Sequence, residues 1–240
     1  MKCILTDIRR ALTRRWFPIA IFAALAAMLI SSGIEADYLI TALANGDTPD
    51  WGGFIYAALT GQLGLLVLPA LCALPFSKEP LEALLCGALR SAIFRTGRRA
   101  YIMGQVAACA VSGMLVQGAA FVLLCALLEG IARLHGYGGI GYAAITPVFP
   151  FVLSRMLAGG LWACIGGGIA LITATLSAAY IAPLCLCYAL TMVGTRFFAK
   201  TIWLNPMNWI TAPGMALPIL SGAAVGLMGL VLRKKVEKYV

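Results

Sequence analysis

Residues 76–105 read FSKEPLEALLCGALRSAIFRTGRRAYIMGQ, the only long charged interval between the hydrophobic segments of the chain. Lys78, Arg90, Arg95, Arg98 and Arg99 stand there against Glu79 and Glu82. What surrounds the interval sets the class. Of 240 residues, 62% are hydrophobic and 11% charged, with a mean hydropathy of +0.94. A soluble domain of this length has far more polar surface to cover. Several apolar runs reach the roughly 20 residues a helix needs to cross a hydrocarbon core of about 30 Å, and they are continuous where a membrane β-barrel would alternate. The expectation is an all-α polytopic membrane protein, with residues 1–240 forming a single transmembrane domain.

Within the interval, Pro80 suits a first helical turn. Leu81, Leu84, Leu85, Ala88, Leu89 and Ala92 fall along one helical face, with Glu82, Arg90 and Ser91 away from it, and Thr96-Gly97 closes the run. Residues 77–99 are therefore predicted as a loop carrying a short amphipathic helix on the membrane surface.

Upstream, a second span is predicted over residues 53–76, kinked or ended by Pro69 and Pro75. Before it lies a solvated loop whose segment 35–50 has four acids, no base and the turn sequence Asn45-Gly46-Asp47-Thr48-Pro49. A first span covers residues 17–33. Ahead of it, Ile4, Leu5, Ile8, Leu12 and Trp16 share an arc opposite Lys2, Arg9, Arg10, Thr13 and Arg14, the pattern of an interfacial helix over residues 2–16. A cleavable signal peptide fits less well, since no clear small-residue cleavage site follows.

Downstream, a third span is predicted over residues 100–128, where Ala100, Gly104, Ala108 and Ser112 recur at every fourth position as a helix-packing stripe. Gln105 and Gln117 should face protein or a cavity instead of lipid. Outer segments follow at 129–154, with the single histidine, His135, in a loop, and at 196–213, with Trp203 and Trp209 as interface anchors. Between them come a fourth span (155–176), whose Gly159, Gly160 and Gly166-Gly167-Gly168 read as close contacts or flexible points, and a fifth (178–195). A sixth span (214–232) carries the packing pair Gly222 and Gly226 and ends in RKKVEKYV.

The net charge of +9 is distributed for orientation, not for nucleic acid: fourteen of the eighteen Lys and Arg fall in the two chain ends and the interval. Six spans with both termini in the cytoplasm satisfy that bias. The eight cysteines (Cys3, Cys72, Cys86, Cys109, Cys125, Cys164, Cys185 and Cys187) include no CxxC pair and read as apolar fillers, so no disulfide or metal site is expected. There is no phosphate-binding loop, HExxH or nucleophile elbow. The predicted spans hold almost no ionisable group, and no internal repeat is evident, which counts against proton-coupled carriers and inverted-repeat transporters. Whatever energy drives the protein is expected to come from another chain.

This arrangement resembles the membrane subunits of ABC type-2 transporters, in which the inner loop runs from an acidic helix through leucines to a Gly/Ser-Arg turn and then a Tyr, Gly and Lys opening the third span. Here Glu79 and Glu82 match the acidic part, Leu84-Leu85 and Leu89 the apolar run, Gly97-Arg98-Arg99 the turn, and Tyr101 and Gly104 the entry. Gln105 stands where Lys is usual, and Pro80 interrupts the acidic start. The resemblance implies a type V exporter-like fold that pairs with a second membrane subunit, as a homodimer or a paralogous heterodimer. It implies no cofactor in this chain, with ATP and Mg held by a cytosolic ABC ATPase partner. Glu79, Glu82, Arg90, Arg95, Arg98 and Arg99 become ATPase-coupling residues, and Tyr56, Gln62, Tyr188 and Thr191 substrate-path residues. The cargo would be a bacteriocin, a lantibiotic-like peptide or a hydrophobic drug, moved across the cytoplasmic membrane. The competing readings are an ion-coupled carrier or channel and a non-transporting membrane scaffold. Orientation alone would also explain the arginines, though not Glu82, because acids contribute little to it.

Overall fold

A computed structural model describes residues 2–198, 201, 205–211 and 216–239, with only the backbone of residues 2–4, 90, 216 and 239. Trp203 and the side chains of Cys3, Ile4 and Arg90 lie outside the described residues. Among the described residues every regular element is helical: α1 (Lys2–Thr13), α2 (Trp16–Ser31), α3 (Gly33–Asn45), α4 (Trp51–Thr60), α5 (Gln62–Ala73), α6 (Glu79–Leu85), α7 (Ala88–Thr96), α8 (Arg98–Leu134), α9 (Gly141–Ile145), a 3-10 turn (Thr146–Val148), α10 (Phe149–Thr173), α11 (Ala178–Phe197), α12 (Asn208–Thr211) and α13 (Ala216–Tyr239). Four helices are long and apolar enough to cross a membrane, or six if the bent pairs α1–α2 and α4–α5 each count as a span. The protein is an all-helical, multi-pass membrane protein.

α8 is the axis of the bundle. Its 37 residues rise about 55 Å at 1.5 Å each, well beyond a hydrocarbon core, so both ends project from it. α10 packs along it so closely that two glycines are required: a Cβ added at Gly113 would lie 2.5 Å from the Gly159 carbonyl oxygen, and one at Gly159 would lie 2.6 Å from that of Gly113. Gly104, Ala108 and Ser112 of the predicted stripe are buried and Ala100 half-buried. Ser112 spends its hydroxyl within α8, donating to the Cys109 carbonyl at 3.0 Å. In α10 a Cβ on Gly166 would run into the Ala179 carbonyl of α11, and one on Gly167 would lie 3.2 Å from the Ser77 carbonyl, whereas Gly168 faces open space. Cys72, Cys109, Cys164 and Cys187 fill the core.

Several expectations are corrected. The segment 35–50 is helical up to Asn45, because Leu and Ala support a helix until Asn45-Gly46 ends it, and Leu39 has a core to reach. The second span breaks at Gly61 and bends by 56°, while Pro69 sits inside α5 without ending it. The interval folds as two short helices, because Gly87 takes a left-handed conformation (φ 70°) between them. That turn resets the helical phase, so Leu81 and Leu89 are buried while Leu85 and Ala88 are exposed. The fourth span begins at Phe149, with Pro150 in its first turn, and so draws Arg155 into the helix. Trp209 is no interface anchor: it stacks on Trp162 at 6.0 Å within the core. A Cβ on Gly222 or Gly226 would meet nothing among the described residues, because α13 turns Leu217, Ala224, Met228 and Leu232 inward.

Three segments distant in sequence share one end of the bundle. Arg14, in the bend just after α1, pairs with Glu79 of α6, and Arg98 at the start of α8 pairs with Glu237 near the end of α13 at 3.2 Å. At the other end, Tyr137 donates to the Asp47 carbonyl at 2.7 Å and packs edge-on against Trp51. The N-terminal helix, the α6–α7 loop and the C-terminal helix end therefore lie on the same side.

Candidate functional site

The first site is the charged end. α1 docks on α8 through Ala11, which is fully buried, and through Asp7, which bonds Gln105; just past the end of α1, Arg14 reaches Glu79 of α6. The apolar arc predicted for α1 is only partly covered, and Leu5 is 64% exposed. Glu79 is thus buried in an ion pair that ties α6 to α1. Glu82 is bonded by Lys78 one turn earlier at 2.8 Å and lies 3.9 Å from Arg14. Burial pushes the Glu79 carboxyl above its ordinary range, with Arg14 pulling the other way and Glu82 adding repulsion. For Glu82, burial raises, but the bond and charge of Lys78 with the help of Glu79 and Arg14 win, and its carboxyl is held below the ordinary range. Asp7 is pushed up by burial against the pull of Arg10 and Gln105. A polar cleft of about 280 Å³ lies among these side chains.

Below this cleft the surface is open. α7 exposes Ser91, Arg95 and, at 87%, Phe94; Arg99 beyond the Gly97 turn is exposed as well, and Arg98 is half-exposed beside Glu237. Of the six coupling residues named from the sequence, Arg95 and Arg99 are therefore outward, Glu82 and Arg98 partly so, Glu79 is inward, and the side chain of Arg90 is outside the described residues. Phe94 was missed: one aromatic among arginines carries no signal until α7 is shown to turn it outward.

Breaking the Arg14–Glu79 pair tests this end. The pair is partly screened, so Arg14→Ala is expected to cost about 1 kcal/mol of stability. The reciprocal swap Arg14→Glu with Glu79→Arg should recover most of it in a thermal unfolding series. A swap no more stable than Arg14→Glu alone would show that α1 is held by other contacts.

The second site was not legible in the sequence, which placed Arg155 at the boundary where the fourth span begins. It is only 1% exposed and lies among α4, α5, α8 and α10. Its Nε donates to Gln117 Oε1 of α8 at 3.0 Å, and its Nη1 donates to the carbonyls of Leu59 and Ala58 at the end of α4, the latter at 3.4 Å. Gln117 Nε2 in turn donates to Cys72 Sγ at 3.1 Å. Among the described residues Arg155 has no ion pair. Its counter-charge is instead the carbonyl end of α4, which carries the negative pole of a helix. The available signal was the run 148–154, VFPFVLS, apolar and led by prolines, which places Arg155 about two turns inside a helix.

The four substrate-path residues do not converge in one cavity. Tyr56 is 42% exposed and lines a polar crevice of about 440 Å³ with Ser31, Thr60 and Gly61, its ring edge-on to Phe151. Gln62 is exposed at the start of α5, Tyr188 is exposed on α11, and Thr191 bonds its own helix at the Cys187 carbonyl. Comparison with protein-family models, curated proteins and solved structures gave no match for the chain.

Proposed function

We propose that this chain is the membrane subunit of an ATP-driven exporter of the ABC type-2 kind, with six spans and both termini in the cytoplasm. α2 supplies the first span and α4–α5 the second, and the type V architecture is part of the same reading. The observation that carries it is the α7 surface, where Phe94 and Arg95 stand outward on a short helix between the second and third spans. An exposed aromatic beside arginines is the composition of an interface anchor, and no described residue covers it. A cytosolic ATPase docking there would supply ATP and Mg. Its movement would reach the bundle through α6, which Arg14 and Glu79 tie to α1. A second membrane subunit would complete the path for a peptide or hydrophobic drug.

The test is purification in mild detergent. A stoichiometric ATPase bearing a phosphate-binding loop is expected to co-elute, and Phe94→Ala with Arg95→Ala should lower its retention at least tenfold while membrane insertion is unchanged. A chain that moves its cargo when reconstituted alone would overturn the proposal. That outcome would favour an ion-coupled carrier or channel, a reading strengthened by Arg155, since a charge at membrane depth is the usual mark of an ion or substrate path.

A further inference from the structure

The break in the second span has an unusual hydrogen-bond pattern. Gly61 is extended (φ −61°, ψ 137°), and α4 and α5 meet there at 56°. In a continuous helix the N–H groups of residues 62, 63 and 64 would donate to the carbonyls of 58, 59 and 60. Those three bonds are absent, while the neighbouring ones are made: Gly61 donates to the Ala57 carbonyl at 2.8 Å and Leu65 to that of Gly61 at 3.2 Å.

The groups set free are met from other helices. Arg155 of α10 donates to the carbonyls of Ala58 and Leu59, and the Gly64 N–H donates to Ser31 Oγ of α2 at 3.3 Å. The guanidinium lies against the backbone of α5, since a Cβ on Gly64 would be 3.1 Å from Nη2. The sequence of the span does not itself demand a break. Pro69 is tolerated inside α5, and Gly61 and Gly64 each weaken a helix without ending one, as Gly64 does within α5.

We infer that the bend is imposed from outside by Arg155, a positioning residue, and that the second span has an alternative state as one continuous helix. In the bent state Arg155 and Ser31 replace the missing helical bonds; in the straight state the backbone makes its own. The crevice beside Tyr56 is formed at the break, so the two states differ in whether it is open. A bistable element of this kind is what alternating access needs, whether ATP or an ion gradient drives it, and the inference stands apart from the proposed partner.

Amide hydrogen exchange on the full chain in lipid nanodiscs tests it. In the wild type, the N–H groups of Gln62 and Leu63 have no acceptor among the described residues, and both residues are exposed next to the crevice that Gly61 lines, so they exchange readily. Arg155→Met is expected to slow exchange at residues 62–64 at least tenfold, because the carbonyls it releases take back their helical donors. Were Arg155 only a brace for the bundle, the same substitution would speed exchange along both α4 and α5.

Gly61→Ala guards against a misfolded Arg155 variant. Its Cβ would collide with Ser31 in the bent state and fits a continuous helix, so it should slow exchange at 62–64 at least threefold with Arg155 intact. Unchanged or faster exchange in Gly61→Ala overturns the inference whatever Arg155→Met does.

Discussion

Gly159→Val is expected to abolish the folded bundle. At Gly159 a Cβ alone would come within 2.6 Å of the Gly113 carbonyl and 3.0 Å of Cys72 Sγ, and neither the backbone of α8 nor the buried thiol has room to retreat. Overpacking costs about 1–3 kcal/mol where side chains can adjust; against backbone the cost lies at or above that range, a large part of a total stability of about 5–15 kcal/mol. Gel filtration should show loss of the monodisperse peak. Gly222→Val is the matched control, with open space around it, and is expected to stay within about 0.5 kcal/mol of the wild type. Equal behaviour of the two variants would mean that α8 and α10 do not pack through their glycines.

Gln117→Leu is expected to be the most damaging change that keeps side-chain volume. It removes the acceptor of Arg155 Nε at a site with no ion pair, and a buried charged donor left without a partner costs about 2–4 kcal/mol. Gln117→Glu keeps an acceptor and adds a full negative charge beside Arg155, so it should retain or raise stability. Cys72→Ala removes only a weak sulfur acceptor and should cost less than Gln117→Leu. Thermal unfolding in nanodiscs ranks the three, and a Gln117→Leu variant as stable as Cys72→Ala would contradict the role given to Arg155.

Hydrophobic length and turn chemistry made much of this fold legible. The N-terminal helix, the turn after Asn45, the Gly97 stop and the burial of Gln105 and Gln117 all follow from local pattern, because each depends on residues within a turn or two. What escaped depends on contacts between helices. Pro69 looked like the breaker of the second span, yet the break falls at Gly61, where Arg155 and Ser31 arrive from elsewhere in the chain to hold the loose ends. Trp209 looked like an anchor because aromatics collect at membrane interfaces, but Trp162 offers it a stacking partner in the core. Gly222 and Gly226 had the spacing of a packing pair, and periodicity cannot say which side of α13 turns inward. For the candidate site, the resemblance named the six coupling residues as one set. Packing sorts them, placing Glu79 against α1 and leaving Arg95 to the surface beside an aromatic that charge counting passed over.

The proposed seating of a separate ATPase on α7 is tested most directly by a photo-crosslinking amino acid placed at Phe94 in the intact membrane. The expected product joins this chain to a protein with a phosphate-binding loop, and its yield should fall when Arg95 is also replaced by Ala. Crosslinks to lipid alone, with no such protein at any nucleotide concentration, would contradict the account.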